Sequence, residues 1–130
     1  MGLDGLLRQR AGVLTGILNG IDETVWNPAT DAHLVARFDA KHLARRAVNK
    51  AALQTRFGLG AEPATFVFGV VSRLTLQKGM DLLLDALPAL AAGGAQLALL
   101  GSGEKSLEGN FVAAASRHPR SVAAIIGYDE

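Results

Sequence analysis

Three short runs of this chain are apolar at every position, and two intervals with helical periodicity separate them. The runs are 66–71, 97–100 and 122–126. A strand covered on one face alternates apolar and polar residues, so unbroken apolar runs are typical of central strands in a parallel sheet. The intervals repeat apolar residues at i, i+4, i+7 and i+8, namely Leu83, Leu87, Leu90 and Ala91 in the first and Leu107, Phe111, Ala114 and Ala115 in the second. This spacing predicts two helices, each connecting two parallel strands.

Two strand–helix–strand units in tandem make half of a doubly wound sheet. The predicted fold class is therefore α/β, a partial Rossmann-like three-layer α/β/α arrangement with a mostly parallel sheet. The length of 130 residues allows one compact domain. A complete doubly wound domain has about six strands, but only three are predicted with clear patterns here. We therefore expect the outer edge of the third strand to be unpaired. We expect that a partner covers this edge, for example in a dimer, or that the chain is a piece of a longer protein.

The first 60 residues have less regular patterns. Residues 14–18 are consistent with a further strand that runs into a turn at Asn19-Gly20. A helical face is predicted along Ala44, Ala47, Val48, Ala51 and Ala52, with Gly58 as its cap. In the first helix between the central strands, Pro88 removes an amide donor and predicts a kink or a restarted turn. Gly93-Gly94 predicts the end of that helix.

Composition limits the partners and the chemistry. The 13 Lys and Arg residues against 12 Asp and Glu give a formal net charge of +1, which provides no broad field for nucleic acid or an anionic membrane. The chain has no cysteine, so disulfides, thiol nucleophiles and thiolate metal sites are excluded. No apolar run reaches the roughly 18 residues of a membrane span, and residues 1–10 carry charges where a signal peptide is apolar. We therefore expect a soluble, cytoplasmic protein whose anion site, if any, is local.

The residues that follow the first predicted strand are the most informative candidates for ligand binding. Open α/β sheets bind ligands beyond the carboxyl ends of their strands. Arg73 and Lys78 lie there, five positions apart and before a helix start, where backbone amides also point outwards. The planar fork of Arg and the point charge of Lys together suit a diphosphate. Solvated loop charges would give the same pattern.

The segments after the other two strands are less specific. Gly101-Ser102-Gly103 either lets the backbone approach a ligand or forms an ordinary strand-to-helix turn. Tyr128, the only tyrosine, either stacks on a base or covers the core. The adjacent pairs Asp22-Glu23 and Asp129-Glu130 have side chains that should diverge, so solvated charge is expected of them rather than acid–base catalysis. The histidines His33, His42 and His118 lack the spacing of a metal site and are expected at the surface.

Several motifs, taken in order, resemble bacterial glycogen synthases, which are close relatives of plant starch synthases. They are Gly16–Asp22, Trp26–Asp31, Asn49-Lys50, Val71–Thr75 with Gln77-Lys78-Gly79, Leu100–Gly103 and Ile126–Glu130. The resemblance covers almost the whole chain with matching gaps, and the number of separated motifs makes it specific.

The resemblance implies a GT-B glycosyltransferase, in which two Rossmann-like domains face each other across a cleft and the second holds the nucleotide sugar. Residues 1–60 would be the interdomain segment with a leading strand and helix, and residues 61–130 the first half of the second domain. The implied reaction transfers glucose from ADP-glucose to the non-reducing end of an α-1,4-glucan with retention of configuration. The isolated chain is expected to be inactive, because the facing domain is missing from it.

The resemblance also implies roles for individual residues. Arg73 and Lys78 would be catalytic and would hold the diphosphate in place of a divalent metal, so that no cofactor and no metal ion are expected. The substrate-binding residues would be Asn19, Gln77, Gly101, Ser102, Gly103, Gly127 and Tyr128. Among these, Asn19 and Gln77 would serve the glucosyl group and Tyr128 would stack on adenine.

The chain also departs from the family pattern. Lys105-Ser106 stands where the family has a proline and an acidic residue after the glycine loop, a change expected to affect only a helix start. The family's amino-terminal Lys-x-Gly-Gly loop and its later glutamate segment at the donor sugar are missing from these 130 residues. Two other functions therefore stay open, namely a non-catalytic nucleotide-binding module and a structural module that pairs its sheet edge with a partner.

Overall fold

The computed structural model describes residues 2–128. Its helices and strands are α1 (Asp4–Gln9), α2 (Arg46–Phe57), β1 (Val67–Val71), α3 (Met80–Ala92), β2 (Gln96–Gly101), α4 (Lys105–Arg117) and β3 (Val122–Ile126), with short 3-10 turns at Ala11–Val13, Leu43–Arg45 and Leu76–Lys78. The three strands form one parallel sheet in the order β1-β2-β3. The predicted α/β class, the parallel strands and the two connecting helices are confirmed. Within residues 2–128, none of the helices has the length and apolar character needed to cross a membrane.

Helices α3 and α4 cover one face of the sheet and enclose the core. Leu97 and Leu99 of β2 point to this face, where they pack with Leu87 of α3 and Phe111 of α4. Leu99 and Phe111 have no exposed surface. Burying side chains of this size contributes roughly 1.5–3 kcal/mol each, so this face provides most of the hydrophobic stabilisation.

Helix α2 lies on the opposite face of the sheet, which makes the arrangement three-layered. Residues of α2 share a cavity with Gly69, Val71, Ala98 and Leu100, which alternate along the strands with the residues of the core face. This layer is incomplete, since Val71 is 82% exposed and Ile125 is 39% exposed. Burial on both faces, predicted for all three strands, is therefore confirmed only for β2, which is buried along nearly its whole length.

Glycines end the two helices where the sequence predicts. Gly58 has φ 65°, the left-handed conformation that glycine adopts without steric cost, and it caps α2. Helix α3 ends at Gly93. It continues without interruption through Pro88, so the restarted turn does not occur, and the kink stays a prediction. Leu87, the residue before the proline, is buried in the core.

The strand predicted at residues 14–18 does not form. Residues 14–20 have no regular secondary structure, and the side chains of Ile17 and Leu18 are 89% and 95% exposed. A strand needs a partner for its backbone groups, and the described sheet offers none here. The short helix α1 upstream was not predicted.

The predicted face of α2 is also wrong. Ala47, Val48 and Ala51 are exposed, and the buried residue of this helix is Gln54. The Gln54 side-chain amide donates to the side-chain oxygen of Gln96, Oε1, at 2.7 Å. Gln96 in turn donates to the backbone oxygens of Gly60, at 2.8 Å, and Arg120, at 3.1 Å. A buried amide is tolerated when its hydrogen bonds are made, so a polar pair joins α2 to β2.

The Asn49-Lys50 motif ties irregular segments to α2. The side chain of Asn49 accepts from the amide of Ala36 at 2.9 Å and donates to the carbonyl of the same residue at 2.7 Å. Lys50 donates to the backbone oxygens of Pro63, at 2.7 Å, and of Thr65. In this chain the motif therefore fixes the path of the backbone before β1.

The pairing of β1 with β2 continues beyond the ends of both strands. The amide of Leu74 donates to Ser102 and the carbonyl of Leu74 accepts from Glu104, at 2.9 and 2.8 Å. Gly101 and Gly103 allow this approach. A Cβ on Gly103 would lie 2.8 Å from the carbonyl carbon and 2.9 Å from the nitrogen of Leu74, and a Cβ on Gly101 would overlap the carbonyl oxygen of Ser72. The loops after β1 and β2 therefore form one packed unit.

We predict that Gln54→Ala lowers the free energy of unfolding by about 1–3 kcal/mol, because it leaves the buried carbonyl oxygen of Gln96 without its donor. Urea denaturation followed by circular dichroism measures this change. Gln9→Ala, on the exposed face of α1, is the matched control and should change stability by less than about 0.5 kcal/mol. Equal midpoints for the two variants would contradict a stabilising role of the glutamine pair.

We predict that Gly101→Ala destabilises the fold by about 1–3 kcal/mol, because the added methyl group displaces the backbone at Ser72. Gly109→Ala is the control, since the Cβ position at Gly109 within α4 is open space. This change should instead stabilise by about 0.4–1 kcal/mol. The same urea experiment compares the two variants. Equal stability of Gly101→Ala and the unmodified chain would contradict the close approach of Ser72 to Gly101.

Candidate functional site

A cleft of about 200 Å³ lies at the carboxyl ends of the three strands. It is lined by Val71, Ser72, Arg73, Leu100, Gly101, Ser102, Gly127 and Tyr128. Parallel strands end at the same edge of a sheet, so segments far apart in sequence meet there. The structure therefore brings together five of the predicted site residues, namely Arg73, Gly101, Ser102, Gly127 and Tyr128.

The side chains of Arg73 and Tyr128 are both exposed at this cleft. Tyr128 is 84% exposed, so the alternative that it covers the core is wrong. The amide of Gly127 donates to the carbonyl of Gly101 at 3.0 Å, and this bond places the residue before Tyr128 against the glycine loop. A residue with a cationic side chain and one with an aromatic side chain therefore line the same cleft.

A larger hollow of about 490 Å³ adjoins the cleft on the second face of the sheet. The two cavities share Val71, Leu100, Gly127 and Tyr128, and α2 contributes Leu53, Arg56 and Phe57 to the larger one. The lining of the hollow is mostly apolar. The cleft lined by Arg73 thus continues into a larger and mostly apolar space.

Gln77 and Lys78 lie on the 3-10 turn beyond Arg73 and are exposed. Neither is among the residues that line the cleft. Gly79, with φ 69°, follows the turn and is the N-cap residue of α3. Contact of Gln77 and Lys78 with a ligand therefore stays a prediction.

The outward-pointing amides expected in this turn are partly occupied. The amide of Leu76 donates to the Glu104 carboxylate at 3.2 Å, that of Lys78 to the carbonyl of Thr75 at 3.0 Å, and that of Gly79 to the carbonyl of Leu76 at 2.9 Å. The expectation is wrong for these three groups. An anion at this turn would be held mainly by side chains.

The remaining two predicted residues lie elsewhere. Asn19 is exposed within the irregular segment near the amino terminus, and Gly103 packs against Leu74 beside the cleft. For Gly101 and Gly103, the structure supplies a reason for glycine that the sequence did not suggest, since the neighbouring loop occupies the space of a side chain. Direct contact of these residues with a substrate stays a prediction.

Two glutamates that the sequence analysis did not single out hold the loops in place. Glu104 accepts from the Leu76 amide, and Glu108 Oε1 accepts from the Gly103 amide at 2.9 Å. Lys105 Nζ lies 2.7 Å from Glu108 Oε2. Acidic residues in the first turn of a helix favour bonds to nearby amides, and the Glu-x-x-x-Glu spacing at the start of α4 could have indicated this.

The amide of Gly103, and then Lys105, lower the pKa of Glu108 from its ordinary value of 4.5, against a smaller opposing effect of desolvation. The folded state therefore favours the deprotonated carboxylate. The stability that these bonds contribute is present above the ordinary pKa and is lost as the pH falls through the lowered one.

Of the two adjacent acidic pairs, the structure describes only Asp22-Glu23. Asp22 Oδ1 accepts from the amides of Val25 and Thr24, which lower the pKa of this carboxyl, so Asp22 organises a local turn. Asp129 and Glu130 lie outside the described residues. Among residues 2–128, no three His, Asp or Glu side chains are grouped as metal ligands. The expectation of a metal-independent site stays a prediction.

Comparison with known proteins identifies close relatives of the whole chain. No model of a known protein family matches it. It is 62% identical over all 130 residues to a glycogen synthase of Rhodopseudomonas palustris and 58% identical over the same length to that of Acidiphilium cryptum, and it covers 27% of each of these proteins. The chain thus spans about a quarter of the length of the curated relatives it matches.

A solved structure agrees with these relatives. The catalytic domain of starch synthase IV from Arabidopsis thaliana, bound to ADP and acarbose, matches 99% of the chain with a TM-score of 0.82 and 34% identity, and 27% of that domain chain is covered. The resemblance deduced from the motifs is confirmed: the chain is a homologue of one continuous segment of bacterial glycogen synthases and has the fold of the corresponding part of a starch synthase catalytic domain.

Proposed function

We propose that this chain forms the nucleotide-diphosphate side of a glycosyl-transfer site. In the complete protein, that site transfers glucose from ADP-glucose to the non-reducing end of an α-1,4-glucan with retention of configuration. The observation that carries this proposal is the cleft at the strand ends, on which Arg73, the glycine loop and Tyr128 converge. The starch synthase with the same fold was solved with ADP bound, which supports a nucleotide as the ligand.

The proposed chemistry depends on charge that develops during the reaction. The bond from the anomeric carbon to the diphosphate breaks while a bond to the acceptor 4-hydroxyl oxygen forms. Negative charge gathers on the departing diphosphate, which takes up the hydroxyl proton. Arg73 and Lys78 stabilise this charge, and a cation that binds the transition state more tightly than the ground state lowers the barrier. Tyr128 stacks on adenine, and Asn19 and Gln77 serve the glucosyl group.

The proposal divides the chain as the motifs suggest. Residues 1–60 form an interdomain segment, and residues 61–130 form the first half of the nucleotide-sugar-binding domain, in a cytoplasmic enzyme. The rest of the synthase and the glucan are the partners, and a dimer through the open sheet edge is a further proposal. Facing domains align donor and acceptor and exclude water, so the isolated chain binds ADP weakly and turns nothing over.

We predict that Arg73→Ala weakens ADP binding to the 130-residue chain about 10- to 100-fold, because it removes a charge-assisted bond. Isothermal calorimetry with ADP, ADP-glucose and UDP-glucose measures the affinities. Arg10→Ala, exposed just after α1, is the matched control and should bind like the unmodified chain. Equal affinities for the two variants would remove Arg73 from the nucleotide site.

The same titrations, together with a turnover assay on a longer protein that contains this segment, distinguish the two other functions. A structural module binds none of the three nucleotides. A non-catalytic sensor binds them but gives no turnover in any longer protein that contains this segment. The proposed synthase binds them and is active once the facing domain is present.

We predict that Lys78→Ala lowers kcat about 100-fold in a chimera in which this chain replaces the matching segment of the Rhodopseudomonas palustris glycogen synthase. The KM for glucan should stay unchanged, because Lys78 acts on the leaving diphosphate. Steady-state kinetics against the unmutated chimera measure both constants. Lys41→Ala, at an exposed position, is the control, and an unaltered kcat in the Lys78 variant would rule out its proposed role.

A further inference from the structure

Two glutamates at the start of α4 bond to the segments that follow β1 and β2: Glu104 accepts from the Leu76 amide, and Glu108 accepts from the Gly103 amide. This inference rests on the proposed function. We propose that Glu108 is a positioning residue, which fixes the shape of the glycine loop at the diphosphate by accepting a hydrogen bond from the Gly103 amide.

The geometry of Glu108 is that of a built contact rather than a surface charge. Its side chain is 10% exposed, and both carboxylate oxygens are engaged, one by the Gly103 amide and the other by Lys105 at 2.7 Å. Lys105 itself is 90% exposed on its side chain. The carboxylate is therefore held beneath the loop, and its lysine partner lies in the solvent-exposed position.

Glu108 acts on a segment that has little other freedom. Gly103 packs against the backbone of Leu74, and Leu74 bonds to Ser102 on one side and to Glu104 on the other. A shift of the Gly103 amide would therefore move the residues on both sides of the cleft. Glu104 adds a second link, since it accepts from Leu76 in the turn that carries Lys78, although at 3.2 Å and in an exposed position this bond is weaker.

The contact also determines how a diphosphate would be recognised. The Gly103 amide is directed at a carboxylate of the protein and is not offered to a phosphate. A carboxylate near an anion site would oppose binding, and Lys105 offsets that charge. The loop therefore contributes a fixed shape, while the positive charge for the ligand comes from Arg73 and Lys78.

Calorimetric titration of ADP into variants of the 130-residue chain tests the proposal. Glu108→Ala should weaken ADP binding about tenfold, because the loop loses its anchor. Glu108→Gln keeps an oxygen that accepts from Gly103 and should stay within about threefold of the unmodified chain. Glu23→Ala, at an exposed position in an irregular segment, is the control and should bind normally. The proposal is overturned if Glu108→Ala binds like the control, or if the glutamine variant loses as much affinity as the alanine variant.

A second measurement does not depend on ADP. In ¹⁵N-resolved NMR spectra, the Gly103 amide proton should be protected from hydrogen exchange and shifted downfield in the unmodified chain. The glutamine variant should retain the protection and the alanine variant should lose it. Equal protection in all three proteins overturns the positioning role even if ADP binds. Failure of the unmodified chain to bind ADP, with Gly103 protected as expected, overturns the proposed function and supports the loop contact. If Glu108→Ala does not fold, Glu108→Gln supplies the test, because a neutral oxygen accepts a weaker hydrogen bond than a carboxylate. The Gly103 amide proton should then move upfield, and an unchanged chemical shift overturns the positioning role.

Discussion

The hydrogen-bonded pairing of β1 with β2 does not stop at the ends of the strands, and the candidate site depends on this continuation. Beyond the sheet, the backbone of Leu74 runs alongside Ser102 and Gly103, with bonds to Ser102 and Glu104. The loops after β1 and β2 are thereby joined by hydrogen bonds beside the cleft. Ordering each loop separately would cost conformational entropy. The backbone hydrogen bonds between the two loops order both of them together.

Different kinds of interaction stabilise the two faces of the sheet. On the face covered by α3 and α4, apolar side chains such as Leu99 and Phe111 are completely buried, and the stabilisation is non-directional. On the other face, α2 is attached through the directional pair Gln54 and Gln96. Apolar strand residues such as Val71 stay exposed on this face, and the hollow beside the cleft lies there.

The second half of the chain was predictable because its elements are encoded locally. Unbroken apolar runs and helical spacing identified β1 to β3, α3 and α4, and Gly58 marked the end of α2. The failures have a common cause. Residues 14–18 have strand-like composition, but residues 2–128 contain no strand that pairs with them. Hydrophobicity alone predicts an alanine face on α2, whereas the buried residue of that helix is Gln54, whose partner lies 42 positions away.

The sequence by itself determined which residues can form strands and helices, and it placed Arg73, the glycine loop and Tyr128 after three successive strands. It did so because backbone propensity and side-chain periodicity are properties of neighbouring residues. Only the tertiary structure decided why Gly101 and Gly103 must lack side chains, that Glu104 and Glu108 hold the loops, and that Gln77 and Lys78 lie beyond the lining of the cleft. These facts depend on distances between segments far apart in the chain, which exist only after the strands have paired.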